Sequence, residues 1–287
     1  MRREIRGLSI AAAIFAGAMQ FGAPEARAAA VEAGVEPWPT ATIPVWIHPD
    51  VRAAGRDRLL RRAMAEWNRK SGVRFVETPK PGRDTLRVYN LAKGARCDAL
   101  TGYHRAFRHD GNTFSGGLVR LGACSYGSVL HELGHVLGLM HEHQRIDRDR
   151  YLDFRPVAGV LGACAKGGPG CAEALANVGS PRPLKLGSSY DPCSLMHYLA
   201  DQSSKVRQGR FPPSRGWSRT YLLTAPGEAN FRACKARQQP VDGCGWWKTG
   251  QKCQVTCQDA NTVAAFYRLK PRMPCWSRSP GTRSRSS

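Results

Sequence analysis

Residues 131–151 read HELGHVLGLMHEHQRIDRDRY, and this stretch tells most about the fold of the chain. His131 and His135 are four residues apart, so on a helix their imidazoles lie on one face, with Cβ atoms about 6 Å apart. Two ligands of one metal ion require that spacing. Glu132 lies beside the first histidine and can reach a metal-held water without being a ligand. A bare H-E-x-x-H also arises by chance, so the residues that follow decide whether the motif indicates a metal site.

The residues after His135 extend the motif. Gly138 comes three positions later, and glycine readily takes the positive φ that ends a helix and turns the chain. His141 then reaches the same metal from the other side. Three neutral nitrogens with one open position are typical of catalytic zinc, whereas structural sites are usually closed by four protein ligands. The spacing of Gly138 and His141 argues against a chance match.

The surrounding segments predict helices and strands in one globular chain. An amphipathic helix is expected over residues 55–71, with an apolar side formed by Leu59, Leu60, Ala63, Met64 and Trp67. A second helix is expected over 128–138, with Ser128 as a plausible N-cap and a buried stripe of Leu130, Leu133 and Leu137. Strands are expected at 42–48, 73–77, 86–90 and 117–121, and a last helix at 219–234.

These motifs resemble a known family of metalloproteases. H-E-x-x-H-x-x-G-x-x-H marks the metzincins, and the continuation over 142–151 is similar to the astacin family. Residues 194–198, SLMHY, resemble the family's Met-turn. Residues 38–47 and 63–77 resemble the start of the astacin catalytic domain. The resemblance covers residues 36–234.

The resemblance implies a role for each residue of the motif. One zinc ion per chain would be bound by His131, His135 and His141. Glu132 would act as general base and then as general acid. Tyr198 would be an additional, movable zinc ligand that swings out to donate a hydrogen bond to the oxyanion. Met196 would form the apolar floor under the metal, and Glu142 would help to seat the mature amino terminus.

Several residues also have simpler interpretations. Met196 taken alone is a core residue, and Tyr198 is a packed tyrosine if the family pattern does not hold. Gly117–Leu121 resembles the family's edge strand, which binds substrate as an added strand, but an ordinary strand fits equally. The other histidines are expected at the surface or behind the ligands: His48, His104, His109, His143 and His197.

The family resemblance also implies the architecture. It indicates an α+β, zincin-like fold, with a twisted, mostly antiparallel sheet and two long helices in the N-terminal lobe. An irregular C-terminal lobe would face it across the active-site cleft. The expected segments are a signal peptide (1–28), a short lead-in (29–36), an astacin-like catalytic domain (37–234), a Cys-rich C-terminal appendage (235–275) and a disordered basic tail (276–287).

The amino terminus has the order of a secretory signal peptide. Basic residues within 1–7 precede an apolar stretch from Leu8 to Phe21, and Ala26-Arg27-Ala28 is a small-x-small cleavage signal. The apolar stretch is shorter than the roughly 20 residues that span a bilayer, although a membrane anchor is the alternative. We therefore expect no transmembrane segment, and a protein that is secreted, or periplasmic in a bacterium with two membranes.

The chain has ten cysteines, and an even number in an oxidising compartment indicates disulfides. By resemblance, Cys97 and Cys124 form one disulfide of the family. The family's second disulfide cannot form, because Gly72 occupies one of its positions. Cys234, which resembles its other half, must then pair elsewhere, for example in the appendage, or stay free.

The pairing of the other cysteines stays open. Cys193, just before the Met-turn, is a candidate partner of Cys164 or Cys171. Cys253 and Cys257 would contribute to a second zinc site in an alternative interpretation, but in a secreted chain their spacing favours disulfides.

Two classes of function fit these observations. The preferred one is a secreted zinc endopeptidase that hydrolyses proteins or peptides with metal-activated water and a glutamate base. The alternative is a secreted protein that binds polyanions or cell surfaces, with a secondary protease site. It is motivated by 43 Lys+Arg against 22 Asp+Glu, a formal charge of +21, and by the basic C-terminal region. We expect a monomer and, without a recognisable motif, no specific nucleic-acid partner.

Overall fold

The computed structural model describes residues 30–91, 96–153, 181–186, 189–198, 222–237, 250–273 and 275. The expected signal peptide and basic tail lie outside the described residues, and so do Cys164 and Cys171.

The described chain forms short strands and a few helices. The strands are β1 (Ala30–Glu32), β2 (Thr42–Ile47), β3 (Arg74–Glu77), β4 (Thr85–Asn90), β5 (Asp98–Ala99), β6 (His104–His109), β7 (Asn112–Leu121), β8 (Leu139–Met140), β9 (Leu152–Asp153), β10 (Leu184–Leu186) and β11 (Leu222–Leu223). The helices are α1 (Pro49–Ala53), α2 (Asp57–Ser71), α3 (Tyr126–Val136), α4 (Ala225–Arg237) and α5 (Cys257–Phe266). Two 3₁₀ turns, Glu142–Gln144 and Arg148–Arg150, follow β8.

The main sheet has the strand order β3-β2-β4-β7-β5, and β6 also pairs with β7. The β2–β3, β2–β4 and β4–β7 pairs are parallel, whereas β5 and β6 run antiparallel to β7. The predicted α+β class is confirmed, but the prediction of a mostly antiparallel sheet is wrong. The chain passes through α1 and α2 between β2 and β3, and such a crossover returns the next strand in the same direction.

Helix α2 packs its apolar side against α3, as its sequence periodicity predicts. Leu60, Met64 and Trp67 are buried along this side. The Trp67 indole Nε1 donates a hydrogen bond to the Leu130 carbonyl at 3.0 Å, which ties α2 to the middle of α3. The helix ends at Gly72, whose φ of 84° is favourable for glycine.

A second, three-stranded sheet has the order β10-β1-β8. Ala30 lies opposite Met140 and Val31 opposite Leu139, in antiparallel register. Both β1 residues are fully buried. The segment expected as a lead-in therefore pairs with the strand that delivers His141.

Helix α5 contributes to the same hydrophobic core as α2 and α3. Val255, Ala260, Val263 and Phe266 belong to the cluster that also contains Trp67. The Lys70 ammonium donates a hydrogen bond to the Val255 carbonyl at 2.7 Å. The sequence assigned these residues to the C-terminal appendage, but in the structure they pack within the main body.

The disulfides connect distant parts of this body. The expected Cys97–Cys124 disulfide is present. The suggestion that Cys193 pairs with Cys164 or Cys171 is wrong, because Cys193 is bonded to Cys234 and joins the Met-turn to α4. This bond also answers where Cys234 pairs. Among the cysteines expected in the appendage, Cys257 is bonded to Cys275, and Cys253 is also disulfide-bonded.

No helix among the described residues has the length and apolar composition needed to cross a membrane.

Candidate metal centre

Helix α3 carries the first two histidines of the motif. Its N-cap is Ser125, whose hydroxyl accepts the Ser128 N–H at 3.3 Å, so the helix begins earlier than the sequence predicted and Ser128 lies in its first turn. Leu130 and Leu133 are fully buried beneath the helix. This packing fixes the orientation of the opposite face.

Gly138 turns the chain after α3. Its φ is 97°, and its N–H donates to the His135 carbonyl at 2.8 Å. A Cβ at this position would lie 2.5 Å from the Phe266 ring, so both the backbone conformation and the packing of α5 require glycine. Strand β8 then leads directly to His141.

The three predicted ligands converge. The Nε2 atom of His141 lies 3.1 Å from the Nε2 of His131 and 3.1 Å from that of His135. The three residues together form a group of donor atoms spaced for one metal ion. The sequence motif therefore predicted the right three side chains to meet.

The outer nitrogens set the tautomers of these histidines. Oxygen atoms that can only accept face each Nδ1: the Leu195 carbonyl at 2.9 Å from His131, the Leu139 carbonyl at 2.8 Å from His135, and Gln144 Oε1 at 3.2 Å from His141. Each Nδ1 must then carry the proton, and each Nε2 presents a lone pair to the centre. Three lone pairs this close cannot bond one another, so the set fits a cation such as zinc.

Burial keeps the imidazoles neutral. It lowers the pKa of His131 and His141 well below the usual value, and the neighbouring imidazoles act in the same direction. Burial lowers the pKa of His135 to about 4. Neutral imidazole is the form that binds a metal ion.

Glu132 lies almost completely buried beside the cluster, with 9% of its surface exposed. Burial raises the pKa of its carboxyl to about 8, and the Lys252 ammonium opposes that rise. Lys252 belongs to the loop before α5, whose backbone lies against Gly127 in the first turn of α3. Lys252 lies more than a hundred residues after Glu132 in the chain, and no motif in the sequence links the two.

The Met-turn lies directly under α3. Met196 is fully buried, and a Cβ on Gly134 would be only 2.5 Å from its sulfur. The neighbouring Leu195 carbonyl is the one that accepts the His131 Nδ1–H. The Tyr198 ring centroid is 4.5 Å from that of His141 and 6.2 Å from that of His131. Both residues predicted from SLMHY are thus brought to the cluster.

Glu142 is fully buried and holds the turn after His141. Its Oε1 accepts hydrogen bonds from Arg145 Nη1 at 3.0 Å and from the Asp191 N–H at 2.8 Å. Burial raises the pKa of Glu142 to about 7, although the charge of Arg145 opposes the rise. Its expected contact with the mature amino terminus concerns residues before Ala30, which lie outside the described residues.

The sheet edge beside the cluster is β5, not β7. Residues Gly117–Leu121 of β7 pair with β4 on one side, and Val119 and Arg120 pair with β5 on the other. The expectation of an edge strand at Gly117–Leu121 is therefore wrong, since strand order depends on long-range pairing. A cavity of about 230 Å³ lies at this edge and is lined by Glu32, Ala99, Thr101, His135, Met140, His141, Gln144 and Arg182.

The remaining histidines stay outside the metal-ligand group. His143 and His197 are buried close to the cluster, and His48, His104 and His109 lie on or beside the main sheet. In the described part of the chain, the other group with ligand spacing is Asp191, Cys193 and Cys234. Its two sulfurs are already joined in a disulfide.

Comparisons with known proteins find a matching family and several relatives. The description of the matching family is Astacin (Peptidase family M12A), and the match covers residues 30–210. Nematocyst expressed protein 6 of Nematostella vectensis is 37% identical over 117 residues, 41% of this chain and 38% of that protein. Zinc metalloproteinase nas-7 of Caenorhabditis elegans is 28% identical over 163 residues, 56% of this chain and 37% of that protein. The chain thus spans less than two fifths of the length of these curated relatives.

Among solved structures, high choriolytic enzyme 1, a hatching enzyme zinc-protease from Oryzias latipes, matches with a TM-score of 0.52. The match covers 80% of this chain and 91% of that chain at 19% sequence identity, which supports the fold. The family match covers more than half of the chain and includes all three converging histidines. The chain therefore belongs to the Astacin family, peptidase family M12A.

Proposed function

We propose that the protein is a secreted zinc endopeptidase with one zinc ion per chain, bound by His131, His135 and His141. The observation that carries the proposal is the convergence of three Nε2 lone pairs beside the buried carboxyl of Glu132. When bound, zinc supplies a Lewis acid for the scissile carbonyl and lowers the pKa of its water towards 7.

Two side chains supply the other chemistry. In its ionised form Glu132 accepts a proton from the attacking water and passes it to the leaving amine nitrogen. The Tyr198 phenol, whose ring lies beside His141, donates a hydrogen bond to the oxygen on which negative charge develops. Met196 packs against Gly134 of α3 and supports the helix that carries His131 and His135.

The substrate is a protein or peptide that extends β5. Leu100 donates its N–H to the Leu118 carbonyl at 3.0 Å, so the backbone groups of the preceding Ala99 point away from β7. Ala99 also lines the cavity that contains His135 and His141. An extended peptide added here would lie next to the proposed zinc site.

The proposed location rests on the amino-terminal sequence. Residues 1–28 have the order of a secretory signal, and the disulfides Cys97–Cys124 and Cys193–Cys234 are stable in an oxidising compartment. We place the protein outside the cytoplasm, as a monomer.

The proposed activity is tested with purified protein, casein and the chelator 1,10-phenanthroline. Casein cleavage should stop in chelator and return when zinc is added. The Glu132→Gln variant should retain one zinc per chain by elemental analysis and lose nearly all activity. Glu228→Gln on α4, a carboxyl 42% exposed, is the matched control and should stay active. Cleavage that persists in chelator, or full activity of Glu132→Gln, would contradict the proposal.

Polyanion binding is a second candidate function. Arg58, Arg62 and Arg69 lie four and seven residues apart on the exposed side of α2, and the Arg62 guanidinium also lies over the Tyr126 ring at 4.2 Å. This stripe supports attraction to sulfated or acidic polymers. Retention on heparin should fall with rising salt and in the triple alanine variant. A second variant that lacks residues 276–287 keeps the α5 sequence and tests the contribution of the basic tail separately. A lack of retention at low salt would exclude this function.

A further inference from the structure

The Tyr198 ring beside the histidine cluster is positioned by stacking on a neighbouring imidazole. Three imidazoles lie near the phenol, but His143 alone among them is close to parallel with it. The ring centroids of Tyr198 and His143 are 4.4 Å apart, with an interplanar angle of 29°. The corresponding angle with His141 is 54° and with His131 it is 38°, at the longer distance of 6.2 Å. Of the three imidazoles, His143 is therefore the one on which the Tyr198 ring stacks.

His143 also holds the backbone of Tyr198. The Tyr198 N–H donates to His143 Nδ1 at 3.4 Å. Only 1% of His143 is exposed, and its ring stacks on His141 with centroids 5.2 Å apart. The imidazole is thus fixed by its surroundings and contacts Tyr198 at both the ring and the peptide group.

A second imidazole holds the other side of the same residue. His197 Nδ1 lies 2.7 Å from the Tyr198 carbonyl, so this nitrogen donates. The Tyr190 hydroxyl lies 2.6 Å from His197 Nε2 and donates to it. Tyr190 is itself buried and stacks on Tyr151, with ring centroids 4.7 Å apart. The Tyr198 backbone is consequently held at its N–H by His143 and at its carbonyl by His197.

We propose that His143 is a positioning residue, which stacks on the Tyr198 phenol and accepts its backbone N–H, and so fixes where that phenol stands relative to the three-histidine centre. The inference rests on the proposed function, since it concerns what Tyr198 does at a bound metal. It assigns complementary tautomers to two histidines: His143 carries its proton on Nε2, and His197 carries its proton on Nδ1.

The tautomers can be measured without a metal. Long-range ¹H–¹⁵N correlation spectra of the histidine rings in metal-free, oxidised protein should show an unprotonated Nδ1 in His143 and a protonated Nδ1 in His197. Protonated Nδ1 in neutral His143 would overturn the proposal, because that nitrogen could not accept the Tyr198 N–H.

The position of the phenol is measured with Cu²⁺, which three imidazoles bind readily. A phenolate ligand gives a charge-transfer absorption band with Cu²⁺ in the visible region. His143→Ala should weaken this band in the copper protein and lower kcat of the zinc protein about 3- to 10-fold, the loss expected for one aromatic contact, with little change in KM. His143→Phe keeps a stacking surface without the acceptor nitrogen and should retain more of the band than His143→Ala. His109→Ala, whose ring contacts Tyr89 on the main sheet, is the control and should match the wild type.

The outcomes separate this inference from the proposed function. A wild-type protein that binds no metal and cleaves no casein would refute both. A wild-type protein that cleaves casein but gives no phenolate band, or a band and kcat unchanged in His143→Ala, would refute the positioning role alone. If His143→Ala does not fold, two other results together would refute the positioning role. These are an unchanged band and kcat in His143→Phe, and a protonated Nδ1 of His143 in the wild type.

Discussion

The close approach of Gly134 to Met196 allows the packing beneath the histidine cluster to be tested by a double-mutant cycle. In Gly134→Ala, the new Cβ would lie 2.5 Å from the Met196 sulfur, 3.3 Å from its Cε and 3.4 Å from Trp67. Alanine would favour the helix by about 1 kcal/mol, whereas overpacking costs about 1–3 kcal/mol. Met196 and Trp67 are fully buried, so neither can move far. We expect the variant to lose about 1–2 kcal/mol of unfolding free energy.

Removal of the methionine should reverse this effect. Met196→Ala alone should cost about 2–5 kcal/mol, because it leaves a cavity in a buried site. In that background the space beside Gly134 is free, so Gly134→Ala should be neutral or stabilising by up to about 1 kcal/mol. The two substitutions should therefore be coupled by roughly 2 kcal/mol, with the double variant more stable than the sum of the single losses predicts.

The cycle is measured by urea unfolding of the oxidised, zinc-free proteins, followed by tryptophan fluorescence. Zinc content of the four proteins, measured after reconstitution, reports whether α3 still presents its histidines correctly. The reasoning fails if Gly134→Ala costs the same in both backgrounds to within about 0.5 kcal/mol, the usual limit of additivity. It also fails if Gly134→Ala stabilises the wild type.

Three other predictions follow from different parts of the structure. Gly127→Ala should lower the free energy of unfolding in urea by more than about 3 kcal/mol, because its Cβ would collide with the backbone carbonyl of Lys252. Gly82→Ala, whose Cβ has its nearest contact at 3.7 Å, is the control and should be near neutral. Equal effects of the two substitutions would contradict the packing. Burial lowers the pKa of His197 to about 4, so protonation destabilises the fold as pH drops from the unfolded value near 6.5 towards 4. His197 should contribute about 3 kcal/mol to the loss of stability over that range. His197→Gln should remove this share in acid titrations of stability, whereas the shares of His131, His135 and His141 should remain. Replacement of the Cys193–Cys234 disulfide by two serines should cost about 4 kcal/mol, from a sequence separation of 41 residues, and an unchanged midpoint of unfolding would argue against the bond.

The sequence could predict the parts of the site that depend on local spacing. His131 and His135 are placed by one helical turn, and Gly138 is required by backbone conformation, so the motif contains the geometry. His141 follows after a two-residue strand. These three histidines converge as expected because few degrees of freedom separate them.

The edge strand could not be predicted in the same way. β5 has only two residues, Asp98 and Ala99, and its place depends on pairing with β7 about 20 residues later. Gly117–Leu121 has the stronger strand pattern, but β4 and β5 cover it from both sides. Strand order is a property of distant contacts, which a local pattern does not contain.

Helix α5 was missed for a different reason. It is buried on nearly all sides, including Gln258 and Thr262, so its sequence lacks the one-sided apolar periodicity of a surface helix. A local signal was available at its start. Thr256 and Asp259 form a capping box, a T-x-x-D pattern that indicates a helix amino terminus.

The place of α5 has a consequence for the order in which the chain matures. The buried Asp259 carboxylate accepts the Ser194 hydroxyl at 2.6 Å and the Leu195 N–H at 2.9 Å, so a late segment fixes the turn beneath the histidines. A ribosome releases His131, His135 and His141 more than a hundred residues before it releases Asp259. A nascent chain therefore carries these three histidines long before the segment that supports them has been made. The order of synthesis thus delays the packing of the histidine cluster until helix α5 has been made.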